Sequence, residues 1–460
     1  MKHKSTRGMI QGLSFEEAVM MGLADDGGLL VPECIPQVQK NFKKWSRYSF
    51  PELSWTLMSH FIEDEIPQTD LKELIQRSYS SFNHPEITPV VSIGNSYIAE
   101  LFHGPTFAFK DIALQFLGNL FEYFLEKNNG FLTIAGATSG DTGSAAIYGL
   151  RGKKNVEVFM LYPNGRVSPI QELQMTTVLD SNIHNLAVEG SFDDAQGIVK
   201  DLFNNLEFKQ KYHLGAVNSI NWARILAQIV YYFYAYFRVQ PDCESPVNFC
   251  VPTGNFGDIL AGYYAKKMGL PIAKLTAATN QNDILHRFFS KGEYHQHGVK
   301  PSFSPSMDIQ ISSNFERFLY YLSGENSIQL KDWMEVFHST GMLSVKGVLL
   351  EKAQAEMSSG AVSEEETLAT IREYHYKYQY VLDPHTAVGV RIAQQEKSEF
   401  PTICLATAHP AKFGDAVKAA IEVMPTLPPS LASLEKQQIR KRILPATTEA
   451  VKSEIVQTLK

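Results

Sequence analysis

Apolar and polar residues alternate along this chain in two rhythms. Up to about residue 90 the pattern is mostly helical. Ser14 and Glu17 form a capping-box pair ahead of an amphipathic stretch, which predicts a helix over Phe15–Met21. Ala24-Asp-Asp-Gly-Gly28 reads as a turn before the apolar Leu29-Leu30-Val31, which Pro32 ends. Pro51 and Pro67 divide the stretch beyond Pro32 into separate helices, because proline opens a helix or stops one. Pro85 and Pro89 mark a boundary before residue 91.

Beyond that boundary the rhythm changes. Short apolar runs at 97–101, 131–135, 156–161, 247–251 and 403–406 read as strands. Amphipathic helices are predicted over 112–127, from Ser144 onward, and from the 253–257 loop to Met268. The apolar run 225–237 is short for a membrane span and carries Gln228 and several tyrosines, so it reads as a buried helix. Strands alternating with helices imply an α/β chain whose parallel sheets are covered on both faces. The expected division is a mostly helical N-terminal domain over 1–90, a smaller α/β domain over 91–220, and a larger α/β domain over 221–460 with a C-terminal helical segment.

Composition narrows the possible partners. A chain of 460 residues with 44% apolar content supports two or three packed domains. The formal net charge of −7 asks for neither nucleic acid nor an anionic membrane. The basic runs Lys43-Lys44 and Arg440-Lys441-Arg442 read as solvated faces. Cys34, Cys243, Cys250 and Cys404 are widely spaced and make no C-x-x-C, which fits reduced thiols in a cytoplasmic protein. The basic start, Met1 to Arg7, is followed by no apolar stretch of the kind a signal peptide needs. His295 and His297 lie in a polar loop and read as no metal site.

Three segments carry candidate chemistry. Lys110 closes the run Glu100-Leu-Phe-His-Gly-Pro-Thr-Phe-Ala-Phe-Lys110-Asp111, otherwise aromatic, small or apolar. Apolar surroundings disfavour the ammonium form, and a neutral amine condenses with carbonyls. The competing reading is a surface lysine that snorkels. Ala137-Thr-Ser-Gly-Asp-Thr-Gly143 follows a strand and opens a helix, so it is either a carboxylate pocket or an N-cap by Ser139 or Thr142. Thr253-Gly-Asn-Phe-Gly-Asp258 has the same setting, either a tight turn or an anion-binding helix start. Ligands of open parallel sheets sit at the carboxyl ends of the strands, where these loops lie.

Taken together, Phe109-Lys110, Thr138-Ser-Gly-Asp-Thr-Gly143 and Thr253-Gly-Asn-Phe-Gly-Asp258 resemble the pyridoxal-phosphate enzymes of the tryptophan synthase β fold, and most closely the threonine synthase family. Ser5-Thr-Arg-Gly8, Ala24 to Gly28, Leu101 to Thr106, Tyr162-Pro-Asn-Gly-Arg-Val-Ser-Pro169, Asn218-Ser-Ile-Asn221 and Thr407-Ala-His-Pro-Ala-Lys-Phe413 extend the resemblance from Ser5 to about Phe413. The pattern is that of the longer branch with an extra N-terminal domain. The resemblance implies two parallel-sheet αβα domains with pyridoxal 5'-phosphate in the cleft. It implies conversion of O-phospho-L-homoserine and water to L-threonine and phosphate, with release of 2-oxobutyrate and ammonia by a phospho-lyase as the alternative.

The resemblance also implies roles. Lys110 falls where the Schiff base forms. Gly254, Asn255, Phe256, Gly257 and Asp258 fall on the cup for the cofactor phosphate, Thr407 meets the pyridine nitrogen, and Asp141 lies near the phenolic oxygen. Ser139, Gly140 and Thr142 would hold the substrate carboxylate. Asn164, Arg166 and Ser168 are candidates for the substrate phosphate, since an arginine fork beside amide and hydroxyl groups matches a dianion. His103 either caps backbone or touches substrate. A monomer or small homo-oligomer in the cytoplasm is expected.

Overall fold

The computed structural model describes all 460 residues, and they form two compact units. The larger unit comprises Met1–Gln76, Phe82–His103 and Ser219–Pro425. Its six-stranded sheet runs, from edge to edge, Ser358–Ala361, Ile272–Thr279, Val247–Pro252, Thr402–Ala406, Ser96–Glu100 and Val90–Ile93. All neighbours are parallel except the last pair, which is antiparallel. That one antiparallel pair at the edge of the expected parallel sheet has a local reason. Gly94 and Asn95 alone join Ile93 to Ser96, and a two-residue connection closes only a hairpin.

The central strand Val247–Pro252 is buried along its length, as a strand covered on both faces must be. Phe249 meets Tyr232 of the helix Trp222–Val239 at 4.8 Å between ring centroids. The next residue, Cys250, donates through Sγ to Gly389 O of the helix Pro384–Gln395. Successive side chains point to opposite faces, so the two helices cover opposite sides of the sheet. The N-terminal segment packs into this same unit. Ser14 and Glu17 form the expected capping box, and Phe42 and Phe50 pack edge-on to Phe233 and Tyr234 of the Trp222–Val239 helix.

The smaller unit comprises Arg77–Ser81, Gly104–Asn218 and Thr426–Lys460. Its five strands, Arg442–Pro445, Ile183–Glu189, Val156–Pro163, Leu132–Ala137 and Leu214–Gly215, are all parallel. The edge strand Arg442–Pro445 comes from the far end of the chain. The helix Thr448–Thr458 that follows it buries Val451 and Ile455 among Ala195, Ile198 and Leu202 of the helix Phe192–Asn204. The helices Lys110–Lys127 and Asp141–Leu150 cross closely at Gly118 and Gly149. A Cβ on Gly118 would fall on the carbonyl oxygen of Gly149, and one on Gly149 would lie 2.5 Å from the carbonyl oxygen of Leu114. In neither unit is any helix long and apolar enough to cross a membrane.

Candidate active site

In the smaller unit Lys110 is the first residue of its helix and only 9% exposed. The loop before it is tied down by its neighbour. The Asp111 carboxylate accepts from the Thr106 N–H (2.8 Å) and from Thr106 Oγ1 (2.6 Å), and a Cβ on Gly104 would lie 2.5 Å from that of Asp111. Lys110 Nζ lies 5.1 Å from the centre of the Phe109 ring and 3.8 Å from Asp141 Oδ2.

Asp141 opens the next helix, at the carboxyl end of the strand Leu132–Ala137. Neither Ser139 nor Thr142 caps it. Thr138 Oγ1 accepts from the N–H groups of Gly140 and Gly143 at 3.0 and 2.9 Å. The hydroxyls of Ser139, which is exposed, and Thr142 are therefore not used as caps. Gly140 has φ +151°, and a Cβ there would collide with Oε1 of Gln171.

Gln171 joins the separate parts. Its Nε2 donates to Asp141 Oδ1 at 2.7 Å, and its Oε1 accepts from Ser168 Oγ at 3.0 Å. A continuous chain of contacts thus runs from Ser168 through Gln171 and Asp141 to Lys110. Ser168 belongs to the loop after the strand Val156–Pro163. Asn164 N–H donates to Val188 O there, and Arg166 N–H to Pro163 O. The Arg166 guanidinium is exposed, and its charge reaches the Asp194 carboxylate in the same unit. Gln171 stands in none of the motifs above. Its spacing of three residues from Ser168 at a helix start was the only available sign.

In the larger unit, the loop after Val247–Pro252 leads into the helix Gly257–Lys267. The N–H groups of Gly254, Asn255, Phe256, Gly257 and Asp258 find no acceptor in the protein. Their carbonyl side is fixed. Asn314 donates from Nδ2 to Asn255 O (3.1 Å), and Ser312 Oγ donates to Gly254 O. A Cβ on Gly254 would lie 2.5 Å from Ser306 O, so the backbone takes this path only with glycine. Phe256 is left-handed (φ +63°), held by edge contact with Phe315 at 5.2 Å and by Phe318 at 5.8 Å. Five unused donors at the start of an 11-residue helix are the donor set that a phosphate monoester needs. The Asp258 carboxylate points elsewhere, accepting from Tyr231 (2.6 Å) and Tyr232 (3.0 Å). Burial pushes its pKa up to about 6, against the pull of the two phenols.

Thr407 follows the strand Thr402–Ala406, is 7% exposed, and carries a neutral hydroxyl. The Leu101 N–H donates to Ala406 O, which brings the 101–103 segment alongside it. His103 Nε2 lies 2.7 Å from Glu100 Oε2, and Tyr380 donates to Glu100 Oε1 at 2.7 Å. Burial, then the charge of His103, lowers the His409 pKa to about 4.

Three family models match the chain in succession. "Threonine synthase N terminus" matches residues 2–79, "Pyridoxal-phosphate dependent enzyme" 87–333, and "Threonine synthase, C-terminal" 386–455. A threonine synthase of Schizosaccharomyces pombe is 52% identical over 455 residues, covering 91% of this chain and 88% of its own. The chain belongs to the threonine synthase family. Two solved threonine synthases bear this out in three dimensions. The pyridoxal-phosphate-bound enzyme of Brucella melitensis superposes with TM-score 0.97 at 45% identity, covering 100% of this chain and 99% of its own. The yeast enzyme gives 0.95 at 48%, covering 100% and 98%. The pyridoxal-phosphate-dependent class and the α/β architecture expected for the threonine synthase family therefore hold.

Proposed function

We propose that this protein converts O-phospho-L-homoserine and water to L-threonine and phosphate, with pyridoxal 5'-phosphate as cofactor. The observation that carries the reading is the contact chain from Ser168 to Lys110. It links a loop suited to a substrate phosphate with the amine that family resemblance assigns to the cofactor.

Bound pyridoxal phosphate supplies an electron sink for carbanions at the substrate Cα and Cβ. The residues do the rest. Gly254 to Asp258 hold the phosphate ester through their N–H groups, Asp258 through its backbone only. Thr407 offers a hydroxyl to the ring nitrogen and adds no charge there. Ser139, Gly140 and Thr142 hold the substrate carboxylate. Asn164, Arg166 and Ser168 take the substrate phosphate, with the Arg166 fork stabilising it as it leaves. The Lys110 amine moves protons at Cα and Cβ, and Asp141 keeps that amine in place. The four cysteines are free thiols, which supports the cytoplasmic location.

The test is the product. Supplied with O-phospho-L-homoserine and pyridoxal phosphate, the protein is expected to release threonine and phosphate in equal amounts, and Lys110→Ala to release neither. 2-Oxobutyrate and ammonia as the main products would replace the reading with a phospho-lyase.

A further inference from the structure

The helix Trp222–Val239 carries a polar stripe on a face that is otherwise closed to water. Arg224, Gln228 and Tyr231 are spaced four and three residues apart, so they lie on one side of the helix. Two of the three are placed by their contacts. Tyr231 donates to Asp258 Oδ1, and Gln228 Oε1 lies 3.8 Å from where a Cβ on Gly257 would stand. Moving toward the N-terminus of this helix moves toward the N-terminus of the next, from Asp258 to Gly257. The next position of the stripe, Arg224, therefore lies beside the loop that precedes Gly257. The start of the helix is held against that loop independently. Asn314 donates from Nδ2 to Ser219 O (3.0 Å) as well as to Asn255 O. Ser219 Oγ meets Ser313 Oγ at 2.7 Å, and Ser313 Oγ donates to Asn255 Oδ1 at 3.3 Å.

Arg224 is only 3% exposed, and its Nε and Nη1 are sealed from solvent with no acceptor. Gln228 Oε1 is likewise buried without a partner. A buried guanidinium with two of its three nitrogens idle is costly. Arg317, equally buried in the same unit, shows the usual solution, donating to Leu30 O, Ile220 O and Asn314 Oδ1. Arg224 also sits in the first turn of its helix, where the dipole opposes a cation. Burial with no carboxylate beside it pulls its pKa down to about 10.

We infer that Arg224 is the buried counter-charge of the phosphate held by the Gly254–Asp258 loop, and that this arginine, not the loop alone, makes the site selective for a phosphorylated ligand. The inference rests on the cup assignment above. Five backbone donors orient the phosphate, and none carries a full charge. Arg224 supplies that charge from behind the loop, directly or through a water held with Gln228.

The experiment separates the phosphate from the rest of the cofactor. The enzyme is stripped of cofactor and titrated with pyridoxal phosphate and with pyridoxal, which lacks the phosphate, with absorbance and intrinsic fluorescence as readouts. For Arg224→Met the affinity for pyridoxal phosphate is expected to fall about 10- to 100-fold, the loss of one charge-assisted contact. Pyridoxal affinity should not change. The cofactor-free Arg224→Met protein should also melt no lower than wild type, because an uncompensated charge has been removed. Arg224→Lys keeps the charge without the fork and should restore part of the selectivity, which also guards against a methionine variant that fails to fold. Gly257→Val serves as the control for the cup. Should Arg224→Met and Arg224→Lys keep the wild-type ratio of the two affinities while Gly257→Val loses it, the cup stands and Arg224 is excluded. Should Gly257→Val keep it too, the cup assignment falls and the inference with it.

Discussion

Gln171 shows how a single amide can join two loops. Both ends of its side chain are used, one on Asp141 and one on Ser168. Gln171→Leu, similar in size, removes one hydrogen-bond donor from the buried Asp141 carboxylate, at a cost of about 1–3 kcal/mol. A loss of kcat by roughly one to two decades with cofactor affinity kept is expected, measured by steady-state kinetics alongside cofactor titration. Unchanged kcat would make the amide a bystander. Asp258 yields a pH prediction. Its carboxyl has a folded pKa of about 6 against an ordinary 3.8, so folding disfavours its ionisation. The cost is absent below about pH 4, grows between about pH 4 and 6, and is complete above that. Asp258→Asn keeps an acceptor for Tyr231 and removes the cost. In denaturant unfolding of the cofactor-free proteins, the variant's advantage should rise across that window to at most about 3 kcal/mol. An advantage independent of pH would refute the assignment. The site residues that stood in contiguous motifs were legible because their chemistry is local: a lysine after phenylalanine, glycines opening a helix. Gln171 and Arg224 were not, because what matters is which atoms reach them from elsewhere in the chain, and for Arg224 that no acceptor reaches Nε or Nη1.

The close crossing of two helices sets the spacing of what they carry. Lys110 and Asp141 are the first residues of helices that meet at Gly118 and Gly149, and the atoms opposing each glycine are backbone, which cannot rotate aside. Gly118→Ala should therefore cost about 1–3 kcal/mol and shift Lys110 against Asp141, lowering activity with stability. Gly197→Ala is the matched control. That glycine is also inside a helix, Phe192–Asn204, but nothing lies within 4 Å of its missing Cβ. There alanine should stabilise by up to about 1 kcal/mol. Denaturant midpoints of opposite sign are expected, and a drop in both would mean that the crossing has no special role. At this scale the apolar runs were readable. The buried helix read from 225–237 is the core of Trp222–Val239, and the strands expected at 156–161 and 247–251 extend only one or two residues further. Ser358–Ala361 and Arg442–Pro445 were not readable. One is Ser-Ser-Gly-Ala and the other begins with arginine, and each is a strand only because a long parallel neighbour pairs with it.

Across the whole molecule, the chain order and the spatial order disagree. The smaller unit takes its central strands from the second quarter of the sequence and its edge strand and last helix from Thr426–Lys460. A chain ending at Pro425 would expose the groups around Val451 and Ile455, each worth about 1.5–3 kcal/mol of burial, and leave Ile183–Glu189 as a bare edge. Loss of the smaller unit is expected, seen as rapid proteolysis between residues 104 and 218 while fragments of the larger unit persist. A truncated protein as resistant as the full chain would refute this. No linear pattern announces such a return, since neither the segment nor its partner is incomplete in sequence terms.

The same return imposes an order on synthesis. The residues around Lys110 leave the ribosome long before Arg442–Pro445, the strand that finishes their sheet. Until it emerges, the strand Ile183–Glu189 lacks its outer neighbour, and the apolar face of the helix Phe192–Asn204 lacks its cover. A nascent chain therefore carries a sticky, unfinished half until that segment emerges, and slow elongation or a premature stop before it leaves the half open to chaperones, proteases and self-association.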